Sequence, residues 1–113
     1  MTPFPAVDVV LHKDAADALS GLESAADPRK ASIARRARAL RPLLLVDCQH
    51  GEVVGRKSIP RAITDRYSID NLYVEDLPAF WRLLYTITKA GGKRYVVVLA
   101  IVDHRTYSRW FSG

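Results

Sequence analysis

Four side chains are of types that hold anions or move protons. Arg82, inside Trp81-Arg82-Leu83-Leu84-Tyr85-Thr86-Ile87, carries a guanidinium that stays charged and forks onto two oxygens of a phosphate or carboxylate. His104 can act as acid or base near neutral pH. Tyr107 can stack on a planar ligand, orient a hydroxyl, or donate a proton where a nearby cation lowers its pKa. Lys57 works as a base only where burial or a neighbouring cation such as Arg56 depresses its pKa. Each also has a plainer reading. Arg82 is then a solvated sheet arginine or one paired with Glu75 or Asp76, and His104 a solvated residue at a helix start. Tyr107 packs with Trp110 and Phe111, and Lys57 is a solubilising edge-strand lysine.

The wider charge pattern bears on the same choice. The chain has 113 residues, with 17 Lys and Arg against 12 Asp and Glu, a net charge of +5. That surplus favours an anionic partner: nucleic acid, an anionic membrane or an acidic protein. Residues 1–28 hold one basic residue against five acidic ones, whereas residues 29–61 hold nine against two. Lys30, Arg35, Arg36, Arg38 and Arg41 have no acidic residue among them, so the segment reads either as a solvated helix face or as a surface for phosphates.

Other chemistries find little support. His12, His50 and Cys48 lack a metal-ligand spacing, and neither a phosphate-binding glycine loop nor a serine or cysteine nucleophile motif occurs, so chemistry without metal or cofactor is expected. Cys48 is the only cysteine, which excludes an intrachain disulfide and fits a reducing compartment. Apolar residues make up 49% and charged residues 26%, against both disorder and a fibrous repeat. The longest apolar run, Tyr95 to Val102, is too short to span a membrane, and Met1-Thr2-Pro3-Phe4-Pro5 does not open a signal peptide. A single cytoplasmic domain over residues 1–113 is the expectation.

The elements that must position these residues follow from periodicity. Val7 to Leu11 reads as a strand. Ala15, Ala18, Leu19 and Leu22 mark one helix from Lys13 to about Ser24; Ile33, Ala37, Leu40 and Leu44 mark a second, opened by Asp27-Pro28 and kinked or stopped by Pro42. Glu52 to Ser58 reads as a strand, Pro60 to Tyr67 as a short helix, and Leu72 to Leu77, Trp81 to Thr88 and Tyr95 to Val102 as three strands with short turns, hence antiparallel. Asp103 caps a terminal helix to Phe111. The order β-α-α-β-(short α)-β-β-β-α predicts an α+β fold, with helices on one face of a mainly antiparallel sheet and the other face partly open. Arg82, opposite Trp81 and Leu83, then lies on the open face.

This order, with Trp81-Arg82-Leu83-Leu84-Tyr85-Thr86-Ile87 and Val102-Asp103-His104-Arg105-Thr106-Tyr107, resembles the RelE/ParE superfamily of type II toxin–antitoxin toxins. Ser58-Ile59-Pro60 and Tyr67-Ser68-Ile69-Asp70-Asn71-Leu72-Tyr73 are similar to a RelE-like branch with a longer insert before the second hairpin. The resemblance runs from Val7 to Phe111. It implies an mRNA interferase acting in the ribosomal A site and held inactive in a hetero-oligomer with a cognate antitoxin. By the same resemblance Arg82, His104, Arg105 and Tyr107 contact the scissile phosphate, and Lys57 and Arg56 are basic residues of the preceding strand; the charge pattern adds Lys30, Arg35, Arg36, Arg38, Arg41 and Arg56 as expected RNA contacts. Attack by the ribose 2′-OH requires a base, positive charge for the phosphorane and an acid for the departing 5′ oxygen, a set these residue types can supply. The alternatives are a ParE-like, non-enzymatic inhibitor of DNA gyrase, and a RelE-fold module that binds RNA or protein without toxicity.

Overall fold

The computed structural model describes residues 3–112; Met1 and Thr2 of the N-terminal segment and Gly113 lie outside the described residues. The fold is α+β. Its order is β1 (Asp8–Leu11), α1 (Lys13–Ser24), α2 (Pro28–Val46), β2 (Glu52–Val54), α3 (Arg61–Tyr67), β3 (Leu72–Asp76), β4 (Arg82–Ala90), β5 (Lys93–Val102) and α4 (His104–Ser112). The sheet order is β1-β5-β4-β3-β2. All neighbours are antiparallel except β1, which lies parallel to β5 with Asp8 opposite Tyr95.

Local chemistry sets most boundaries. The Asp27 side chain accepts from the Arg29 N–H at 2.9 Å, and Pro28 occupies the first turn, where its missing donor is harmless. Of the kink or stop expected at Pro42, the stop does not occur: α2 continues through it to Val46. Leu40 and Leu44, one turn apart around it, are both buried, and their packing carries the helix on past the hydrogen bond that Pro42 cannot donate to Arg38 O. Gly91 and Gly92, at φ 59° and 77°, supply the left-handed pair that a two-residue hairpin needs between Ala90 and Lys93.

Two expectations are corrected. The strand expected over Glu52 to Ser58 ends at Val54, because β3 offers no partner beyond Leu72; Arg56–Ser58 instead wind into a 3₁₀ turn closed by Ser58 N–H to Gly55 O at 2.7 Å. The second face of the sheet is not left open. One core packs α1 and α2 on Leu83, Tyr85, Val96, Val98 and Ile101. A second, built on Ile63, Leu72, Val74, Leu84, Leu99 and Ala100, is covered by Tyr67 of α3 and by Tyr107, Trp110 and Phe111 of α4. A register shift between Leu84 and Tyr85 opposes two residues of β4 to three of β5 and turns both Leu99 and Ala100 to the second core. This two-sided burial is why β5 is apolar along most of its length.

Candidate functional site

Arg82 opens β4 opposite Asp76 and Val102, at the end of the sheet where α4 begins. Its neighbour Leu83 faces the first core, so alternation turns Arg82 to the α4 face. It is not on an open surface as expected. The side chain is 20% exposed, its Nε lies 3.1 Å from Asp76 Oδ1, and its guanidinium carbon stands 5.2 Å from the centre of the Tyr107 ring. The plainer reading is therefore realised, with Asp76 as partner, yet the pair is loosely held: the Asp76 side chain is 84% exposed.

Tyr107 is positioned by α4, whose first turn is capped by Asp103 accepting from the Thr106 N–H at 2.9 Å. Tyr107 stacks on Phe111 at 4.4 Å and packs against the second core, while its hydroxyl has no hydrogen bond among the described residues. Burial pushes the phenol above its usual range; Arg82 pulls it down, and Glu52 and Asp76 push it up again. The nearby cation is present and does lower the phenol, but burial outweighs it. Tyr107 is a neutral phenol at neutral pH and can donate a proton but not take one.

His104 lies one helical turn before Tyr107, on a neighbouring stripe of α4, with its ring 6.0 Å from that of Phe80. Arg105 does not join them. Two residues from Tyr107 it points about 200° around the helix, exposed and on the side of Arg109. Lys30, at the start of α2, does reach this end: it lines an open groove of about 380 Å³ with Trp81, Asp103 and Thr106.

The remaining expected residues stand elsewhere. Arg56 pairs with Asp70 at 3.4 Å, before β3, whereas Arg82 pairs with Asp76, at its far end. About 13 Å of strand from Leu72 to Asp76 separates the two. Exposed Lys57 belongs to the Arg56 turn, so neither residue is on the strand beside Arg82, as the resemblance implied. On α2, Arg38 pairs with Glu23 and Arg41 with Asp8 at 2.6 Å, which corrects the expectation of a basic face without acidic partners. Arg35 and Arg36 are exposed and make no ion pair among the described residues. Arg38 and Arg41 also rim an apolar cavity of about 220 Å³ between α2 and the sheet, remote from Tyr107.

Three contacts were not anticipated. Glu52 bears on the Tyr107 phenol, which only its register opposite Val74 reveals. Phe80 stands exposed beside His104; an aromatic in the turn opened by Pro78, next to Trp81, was the available signal. His50 Nδ1 lies 2.6 Å from the buried Glu75 carboxylate, a pairing across 25 residues that local pattern cannot show. No group of three or more His, Cys, Asp or Glu could hold a metal among the described residues, and no helix among them is long and apolar enough to cross a membrane. No family model, curated protein or solved structure compared with the chain matches it.

Proposed function

We propose that the protein is a RelE-like endoribonuclease toxin that cuts mRNA on the ribosome without a metal, blocks translation and is neutralised by an acidic antitoxin. The observation that carries this reading is the half-buried Arg82 guanidinium against the face of a neutral Tyr107 whose hydroxyl is unengaged. A phosphate displaces the exposed Asp76 carboxylate and takes the guanidinium fork in its place. As the 2′ oxygen attacks phosphorus, His104 accepts its proton, Arg82 stabilises the charge on the phosphorane, and Tyr107 protonates the departing 5′ oxygen. The products are a 2′,3′-cyclic phosphate and a 5′ hydroxyl, and both proton transfers balance.

Arg35, Arg36 and Lys30 supply phosphate contacts from α2, a salt-dependent and sequence-independent contribution. Arg56 and Lys57, at the other end of β3, act at most at a distance. The test is primer extension on ribosome-bound mRNA, with end-group analysis of the fragments. Cyclic phosphate ends with wild type and loss of cutting with Arg82→Ala are expected. Intact mRNA with wild type overturns the reading; intact mRNA with inhibited gyrase supercoiling assigns the chain to the non-enzymatic alternative.

A further inference from the structure

The loop between β3 and β4 holds two successive non-glycine residues in the left-handed backbone region, Ala79 at φ 59° and Phe80 at φ 62°. Side chains with a Cβ avoid that region, because Cβ crowds the neighbouring carbonyl. The loop is kept there from both flanks. Leu77 N–H donates to Trp81 O at 2.9 Å, Trp81 N–H donates to Pro78 O at 3.3 Å, and both Leu77 and Trp81 pack into the first core. What this backbone achieves is to turn the Phe80 ring outward: it is 70% exposed, more than any other large apolar side chain among the described residues.

An aromatic ring held in water by a strained loop contributes nothing to the core. Its surroundings indicate a ligand. The ring lies 6.0 Å from that of His104, at 60° to it, and His104 is one turn from Tyr107, which carries Arg82 on its face. One end of the sheet thus offers an exposed π-face against His104, which is itself one turn of α4 from the phenol and its cation. An uncharged apolar ligand would leave Arg82 unused, and an acidic protein segment would have no need of a flat ring. A nucleotide uses both, since its planar base sits one ribose away from its phosphate.

We propose that Phe80 is the stacking platform for a nucleobase adjoining the phosphate held by Arg82, a subsite that rests on the RNA-cleavage reading above. The exposed ring can be truncated without touching either core. Single-turnover cleavage of mRNA on programmed ribosomes is measured against protein concentration for wild type, Phe80→Ala and Phe80→Tyr. Loss of one stacked base raises the half-saturating concentration about tenfold in Phe80→Ala. The limiting rate stays within about twofold, because Phe80 has no part in proton transfer. Phe80→Tyr, which keeps the ring, restores the wild-type curve. A Phe80→Ala curve that superimposes on wild type overturns the stacking subsite alone and leaves the nuclease standing. Failure of wild type to cut overturns the nuclease and the subsite with it. Unchanged cleavage with loss of self-association in sedimentation assigns Phe80 to a protein contact and equally overturns the proposal.

Discussion

Tyr85 and Tyr107 lie on opposite sides of the same sheet and differ in what engages their phenols. Tyr85 is wholly buried in the first core; its hydroxyl donates to Cys48 O at 2.7 Å and accepts from Gly51 N–H at 3.0 Å. Its ring stacks on Tyr73 at 5.2 Å. Gly51 fits this arrangement because a Cβ there would stand 2.9 Å from the Tyr85 hydroxyl oxygen and 3.0 Å from Val74 O. Tyr107 is half-buried, its oxygen makes no hydrogen bond among the described residues, and its ring lies against a cation. Burial raises both phenols, but only Tyr107 has a proton that a ligand can reach. A polar atom that is fully satisfied maintains a fold, whereas one left unengaged beside a charge is free for chemistry.

The largest test of this contrast is Arg82→Ala. Removing the cation should lower cleavage by about 10²–10³-fold, read by primer extension, while the urea midpoint moves little because the Asp76 left behind is already solvated. Tyr107→Phe comes next. Cleavage should fall by about 10²-fold with stability unchanged to about 0.5 kcal/mol, since no hydrogen bond is lost. Tyr85→Phe should do the reverse, costing about 1–3 kcal/mol in urea unfolding because Cys48 O and Gly51 N–H lose their partner, with cleavage per folded molecule intact. If Tyr107→Phe destabilises while Tyr85→Phe abolishes cutting, the assignment is inverted.

Smaller effects appear with pH and salt. Tyr67, which donates to Asp14 at 2.7 Å, is pushed up to about 12 by burial and by that bond. Its contribution to stability is complete below pH 10 and is lost as pH rises through about 12, because the unfolded phenol ionises first. Urea midpoints measured across that window should fall less steeply in Tyr67→Phe. Cleavage by a neutral Tyr107 should hold to the alkaline side of 10 before it declines. Least of all, Arg36→Ala should reduce the salt slope of ribosome binding by about one, whereas Arg38→Ala, already paired with Glu23, should hardly change it.

Helical periodicity was enough to place α1 and α2, and glycine chemistry to place the β4–β5 turn, because those signals lie within a few residues. Asp103 and the inward turn of Tyr107, Trp110 and Phe111 were legible for the same reason. Partners distant in sequence were not. Arg38 with Glu23 and Arg41 with Asp8 are joined by the packing of α2 against α1 and β1. The course of Arg56 and Lys57 was misread because β-propensity continues past Val54, whereas the pairing partner does not. Coverage of the second face by α3 and α4 depends on where the chain returns, which no window of residues contains.

The parallel pairing of β1 with β5 has a consequence for the order of assembly. Asp8 emerges early in synthesis, yet its ladder partner Tyr95 stands near the start of β5, 87 residues later. Until β5 is made, the inner faces of α1 and α2 have only part of the sheet to rest on, and Arg82 has no helix to carry Tyr107 over it. Closing so long a loop is slow. The nascent chain therefore passes through translation with the end that holds Arg82 and Tyr107 unassembled, and that end forms in one late step.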